Sequence, residues 1–155
     1  MEGEQKALKI TNPGFLAYFP KSLQDLVKKL NDPTIVYETL YTYFNNTVQF
    51  GGDLAEFWAV TDGDKVYGYA HFYVKPLPHR GVVCCDYIHC CRNRKHVTQK
   101  LVDEFIEFGK KNRSYLYEGT ALGDTTFRVF RNRALKAGYK IHKTGKITFL
   151  GSKKE

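Results

Sequence analysis

The chain has 155 residues, 43% of them hydrophobic and 15% aromatic, with a formal net charge of +8. That length supports one domain with one core and excludes two comfortable ones, and the apolar content excludes extensive disorder. No run approaches the roughly 18 apolar residues of a membrane span, and the polar opening MEGEQKALKI is unlike a secretory signal, so a soluble cytoplasmic protein without membrane partners is expected.

The charge is unevenly placed. Residues 1–124 hold 15 Lys+Arg and 15 Asp+Glu, whereas residues 125–155 hold 9 Lys+Arg and a single acid, Glu155. A basic segment of this kind suits a polyanion: nucleic acid or a protein surface through residues 125–154, or a phosphorylated cofactor. The plain alternative is a solvated basic face.

Along the chain, LKITNPGF holds a brief strand before the Asn12-Pro13-Gly14 turn. PKSLQDLVKKLND predicts a helix, with Ser22 as N-cap, Leu23, Leu26, Val27 and Leu30 on one face, and Asn31-Asp32-Pro33 as its stop. PTIVYETLYTYFNN predicts a second helix beginning near Thr34, with Tyr37, Tyr41 and Phe44 on a packed face, and TVQFGGD a loop. Two strands follow about Asp62-Gly63-Asp64, a hairpin signal, with Val66 to Val74 alternating and aromatic-rich. RGVVCCDYIHCC is apolar except for Asp86 and His89, as in a strand buried on both faces.

A basic turn, CRNRKH, leads into TQKLVDEFIEFGKKN, a helix capped by Thr98 with Leu101, Val102, Phe105 and Ile106 as its stripe. SYLYEGTAL predicts a strand. GDTTFRVFRNRALKAG predicts a helix between an Asp124 or Thr125 cap and Gly138. YKIHKTGKITFLGSK predicts a hairpin about Thr144-Gly145-Lys146. The strand–helix–strand crossover inside a mostly antiparallel sheet is the distinctive feature.

The four cysteines, Cys84, Cys85, Cys90 and Cys91, lie on or beside one strand. Cys84 and Cys90 are then roughly 20 Å apart, too far to share a zinc ion, so reduced core thiols and no metal are expected. None of His71, His79, His89 and His142 has a carboxylate or cysteine at the spacing of a triad or metal site.

The order of elements resembles the GNAT superfamily of acyl-CoA-dependent N-acetyltransferases over roughly Glu56 to Leu150. FWAVTDGDKVYGYAHF is similar to the family's second and third strands. YIHCCRNRKHVTQKLV stands where the cofactor strand, pyrophosphate loop and helix belong. FRVFRNRALKAGYKI is similar to its last helix, ending in Gly138-Tyr139. The resemblance implies a single α/β domain over 1–155: a mixed, mostly antiparallel sheet flanked by about four helices. Residues 1–50 form its N-terminal helical part, and 56–150 its sheet, cofactor-loop helix and C-terminal hairpin. Small phage-encoded proteins often resemble this layout.

Members of the family cradle the CoA pyrophosphate on backbone N–H groups at a helix N-terminus, where the dipole favours an anion. The usual pattern is Arg or Gln, two residues, Gly, one residue, then Gly or Ala. Anchored on Val97 and Leu101, its lead position is Asn93, flanked by Arg92 and Arg94, and its glycine positions are His96 and Thr98. The resemblance thus implies acetyl-CoA with its pyrophosphate along Arg92, Asn93, Arg94, Lys95, His96, Val97 and Thr98. Its pantetheine would run by Ile88 and Cys90.

The family's usual Tyr and Asn in the last helix are replaced by Ala134 and Phe127, and its early strand Glu by the Gly81–Val83 region. Asp86 and Tyr117 remain as the catalytic candidates, with Glu118 as a neighbour on the opposite strand face from Tyr117. Asp86 is expected to share a face with Ile88. Three readings stay open: an acetyltransferase acting on an amine of a small molecule or protein, a non-catalytic binding or structural relative, and a basic nucleic-acid binder.

Overall fold

The computed structural model describes residues 4–18, 20–78, 81–90, 94–120, 124–144 and 148–153, with backbone only for Tyr18, Arg94, Thr120, Asp124, Thr125, 141–144 and 148–153. The elements in chain order are β1 (Lys6–Lys9), a 3-10 turn (Phe15–Tyr18), α1 (Pro20–Leu30), α2 (Tyr37–Phe50), β2 (Ala55–Thr61), β3 (Val66–Val74) and β4 (Val82–Cys90). They continue as α3 (Arg94–Lys111), β5 (Leu116–Thr120), α4 (Asp124–Lys136), β6 (Tyr139–Thr144) and β7 (Thr148–Lys153). All seven strands form one sheet in the order β1-β2-β3-β4-β5-β7-β6. Neighbours are antiparallel except β4 and β5, which are parallel. Helix α3 makes their crossover, and β7 inserts between β5 and β6.

Each face of the sheet carries its own core. On one face, Val97, Leu101, Val102 and Phe105 of α3 and Val129 and Phe130 of α4 pack on Phe72, Val83, Cys85 and Ile88. On the other, Leu23 and Leu26 of α1 and Leu40 and Phe44 of α2 pack on Phe57, Ala59 and Tyr69. Burying apolar stripes from both sides explains why the central strands lack a polar face.

Several helix ends differ from the sequence reading. Helix α1 already starts at Pro20, so Ser22 lies inside it rather than at its cap. Proline fits a first helical position because that N–H has no intrahelical partner anyway. Helix α2 starts at Tyr37, where Thr39 Oγ1 accepts from Val36 N (3.2 Å) and donates to Val36 O (2.9 Å). It runs on to Phe50, so Thr47–Phe50 are helical and not loop. Helix α3 starts at Arg94, a turn earlier than a Thr98 cap requires. Gly138, at φ 92°, supplies the left-handed stop after α4.

One buried carboxylate ties β1, β2 and α3 together. Glu56 is 4% exposed and accepts from Trp58 Nε1 (3.0 Å), Lys111 Nζ (2.7 Å) and Lys9 Nζ (3.2 Å). Burial is the largest influence and pushes Glu56 up, but its hydrogen bonds from Lys111, Trp58 and Lys9 together outweigh it and hold the carboxyl below its ordinary value. A carboxylate held low contributes stability that is full above its unfolded pKa, and that is lost as pH falls through the folded one. The thermal midpoint should therefore fall more steeply from about pH 5 to about pH 3 in the wild type than in Glu56→Gln, as followed by circular dichroism.

Candidate active site

Strands β4 and β5 pair only from Val82↔Leu116 to Cys85↔Gly119, yet β4 continues to Cys90. Beyond Cys85, β4 has no strand partner on that side among the described residues. On its other edge the β3 register shifts: His71 faces Asp86, whereas Tyr69 faces His89, so Tyr87 and Ile88 together stand opposite Ala70. This is a β-bulge, and Tyr87 sits in it with φ 53°, a conformation uncommon outside glycine. The bulge resets the alternation of side chains. Cys85 and Ile88 face α3 and α4, while Tyr87 packs toward α1 and α2. Asp86 is turned to that second side as well, onto His71. The expectation that Asp86 and Ile88 share a face fails for this reason.

On the α2 face a hydrogen-bonded chain surrounds Asp86. Its Oδ1 lies 2.6 Å from His71 Nδ1, and its Oδ2 accepts from Tyr43 OH at 3.1 Å. His71 Nε2 is 2.7 Å from Thr47 Oγ1. A carboxylate only accepts, so Nδ1 carries the proton, and in the neutral ring Nε2 accepts from the Thr47 hydroxyl. His71 is 2% exposed and the Asp86 side chain 22%. Burial, then the Asp86 charge, pushes the Tyr43 phenol well up, so it stays protonated as a donor. Tyr73 is pushed up as well, first by burial and then by Cys84 and Asp86.

Next along the same face, Lys75 Nζ reaches both Glu118 oxygens at 3.1 Å, and Cys84 Sγ lies 3.5 Å from Glu118 Oε2. Burial pushes the Cys84 thiol up to about 11, and the Glu118 charge adds to it. Glu118 is thus an ion-pair partner. Tyr117 points the other way, into the core under α3, where its hydroxyl donates to Ile106 O (2.9 Å) and lies 3.0 Å from Tyr139 OH. A Cβ on Gly109 would overlap the Tyr117 ring. The structure does not bring Tyr117 to Asp86.

On the α3 face, the side chains of Ile88, Cys90, Val97 and Thr98 are all buried. Cys90 Sγ and Thr98 Oγ1 are 3.0 Å apart, so the Thr98 hydroxyl is committed to the sheet. As the fifth residue of α3, its N–H lies beyond the helix's unpaired first-turn donors. Lys95 and His96 are exposed in that first turn. Arg92 and Asn93 lie outside the described residues, and of Arg94 only the backbone is described. Between α3 and α4, Lys95, Gln99, Arg128, Asn132 and Arg133 line a cavity of about 340 Å³. Arg133 is paired with Asp103 at 3.2 Å. Phe127 and Ala134 pack against the core.

No family model matches the chain, and no curated protein matches it. Solved structures do. A GCN5-related N-acetyltransferase from Kribbella flavida superposes with a TM-score of 0.69 at 12% identity, covering 95% of each chain. A Salmonella typhimurium protein assigned as an acetyltransferase, solved with its cofactor acetyl-CoA, gives 0.65 at 14% identity over 95% of this chain and 90% of its own. The PaiA N-acetyltransferase of Thermoplasma acidophilum, in complex with coenzyme A, gives 0.61 at 10% identity over 98% and 99%.

The chain has the GNAT fold. At this level of identity the likeness concerns architecture alone, and the chemistry has to be read from this chain's own residues.

Sequence reasoning found Asp86 on β4 but missed His71, Thr47 and Tyr43. Sequence spacing points to no carboxylate partner of a triad or metal kind for any histidine, yet His71 and Asp86, 15 residues apart, meet as cross-strand partners. Aligning the two strands about the Pro76–Pro78 turn would have brought them close. Among the described residues no group of His, Cys, Asp and Glu could hold a metal ion, and no helix is long and apolar enough to cross a membrane. Cys84, Cys85 and Cys90 are buried thiols.

The network predicts how two substitutions separate. Asp86→Asn keeps an acceptor for His71 and should leave thermal stability nearly unchanged. Asp86→Ala strands a buried donor and should cost about 1–3 kcal/mol, measured by chemical denaturation.

Proposed function

We propose that this protein is an N-acetyltransferase that moves an acetyl group from acetyl-CoA to an amine, with Asp86 as the base. The observation that carries this reading is the parting of β4 from β5 beside a bulge that leaves Asp86 on the face opposite α3 and returns Ile88 to the α3 face. A thioester entering from the α3 side would meet the edge of β4 just past Cys85, where pairing with β5 has ended and a backbone N–H directed away from β3 would be presented to its carbonyl. An amine entering from the α2 side would meet Asp86.

Bound acetyl-CoA supplies the activated acetyl group. Asp86 takes one proton from the ammonium form of the acceptor, and the charge is shared through His71 Nδ1. The free nitrogen forms the new N–C bond as the C–S bond breaks. The sulfur leaves with the bonding electrons and takes a proton from water, and the nitrogen's remaining extra proton passes to the hydroxide so formed. Tyr43 holds the carboxylate in place from its second oxygen. Positioning of the two reactants supplies much of the rate in such a reaction.

The residues around the α3 start fit a pyrophosphate without glycines. The first turn of an 18-residue helix presents unpaired N–H groups at its positive end. Lys95 and Arg128, both exposed, flank the cavity between α3 and α4 and suit the remaining phosphate of CoA. This use would also account for part of the basic excess after residue 124. The buried side chains of Ile88, Cys90, Val97 and Thr98 shape the floor, and contact there would fall to their backbone.

Titration calorimetry with acetyl-CoA should give micromolar binding, weakened several-fold by Lys95→Ala and by Arg128→Ala. With an accepted amine, Asp86→Asn should lower kcat by about 10²–10⁴ and leave acetyl-CoA affinity within about twofold. No binding up to millimolar acetyl-CoA would overturn the proposal.

A further inference from the structure

We infer that the acceptor is an alkylammonium ion whose chain leads away from Asp86 along α2, and that a second cationic group at the far end is favoured while a carboxylate there is disfavoured. This rests on the acetyltransferase reading of the same site and names its substrate class.

Asp86 is a partly exposed carboxylate beside the phenols Tyr43, Tyr73 and Tyr87. Tyr43 and Tyr87 are edge-to-face with centroids 6.0 Å apart, Tyr43 lies 4.7 Å from the His71 ring, and Tyr73 lies 5.7 Å from it on the other side. The aromatic rings thus cluster about His71 and Tyr43, the two residues that hold the carboxylate. Each Asp86 oxygen holds one hydrogen bond, which leaves lone pairs for a further donor. No lysine or arginine pairs with Asp86 among the described residues. The cation next along the face, Lys75, is held by Glu118. A carboxylate beside an aromatic cluster, with no cation paired to it among the described residues, suits an ammonium group.

The same Tyr43 that donates to Asp86 also lines a surface hollow of about 390 Å³ with Glu38, Thr39, Thr42 and Asn46. The hollow follows one side of α2. Its lining is neutral except for Glu38, which forms no ion pair among the described residues. Glu38 and Tyr43 are five residues apart, roughly 7.5 Å along the helix axis, a span that a chain of a few methylenes covers. An acceptor with its amine at Asp86 and its stem over Tyr43 would bring its other end toward Glu38. A positive end is complementary there, and a negative end meets like charge.

The test uses binding without acetyl transfer. Pentylamine, 1,5-diaminopentane and 5-aminopentanoate are titrated by calorimetry into the protein, alone and with CoA. The diamine should bind most tightly, and the amino acid at least about tenfold more weakly than the diamine. Asp86→Asn should weaken all three amines about tenfold, with its thermal midpoint confirming the fold. Glu38→Gln, at an exposed helix position, should erase the diamine's advantage over pentylamine and leave pentylamine unchanged. Equal affinity for the diamine and the amino acid, or amine binding indifferent to both substitutions, would overturn the inference. If the cation pattern holds but no amine is acetylated, the acetyltransferase reading fails and the cation site stands. If acetylation proceeds without charge preference, the reverse holds.

Discussion

The parallel pairing of β4 and β5 stops at Cys85↔Gly119, while β4 runs on to Cys90. A sheet buried on both faces has few ways to leave backbone donors unpaired, because each costs free energy unless something binds it. Here the edge of β4 past Cys85 has no strand partner among the described residues. The bulge at Tyr87 belongs to the same arrangement. It lets β4 keep its pairing with β3 while changing which side chains face which core. Asp86 follows the ordinary alternation, opposite to Cys85, and the extra residue at Tyr87 returns Ile88 to the α3 side. The strand thus presents a carboxylate to one side and an apolar floor to the other, beside an edge that β5 no longer pairs.

His71 makes the second half of the account. A histidine 2% exposed is costly unless both ring nitrogens are satisfied, and Thr47 and Asp86 satisfy them in one tautomer. The arrangement fixes the ring between α2 and β4 and gives Asp86 a rigid partner. It also couples the second helix to the site, since Thr47 and Tyr43 both come from α2. Elements that in other readings only cover the sheet thus supply two of the groups that orient the carboxylate. The cysteine beside them contributes differently. Cys84 is held protonated by burial near Glu118, so it occupies the face without offering a nucleophile.

Much of the architecture was legible in the sequence because it rests on short-range signals. Asp62-Gly63-Asp64 marked the β2–β3 turn, Gly138 marked the end of α4, and the apolar run from Val82 marked the central strand. The chain order of strands and helices followed from these. The site was less legible for identifiable reasons. The TVQF segment has a β-branched pair before two glycines, which reads as loop, yet tertiary packing extends α2 through it and carries Thr47 into place. Thr98 has the chemistry of a cap, but its hydroxyl turns inward to Cys90 because α3 begins a turn earlier. Asp86 was found by its oddness within an apolar strand. Its face was misjudged because a single bulged residue reverses the alternation, and no local residue type announces a bulge at a tyrosine. Tyr117 looked equally suitable on the page, and only the packing against Gly109 and Tyr139 shows it inside the core.

The central claim is that two reactants meet through the gap beside β4, one from each face of the sheet. A crystal structure with acetyl-CoA tests it most directly. The account predicts the thioester lying in the parting between β4 and β5, its carbonyl oxygen within hydrogen-bond distance of a backbone N–H between Asp86 and Cys90, and its carbonyl carbon open toward Asp86. A cofactor bound elsewhere, or with its thioester separated from Asp86 by the packed side chains of β4, would contradict it.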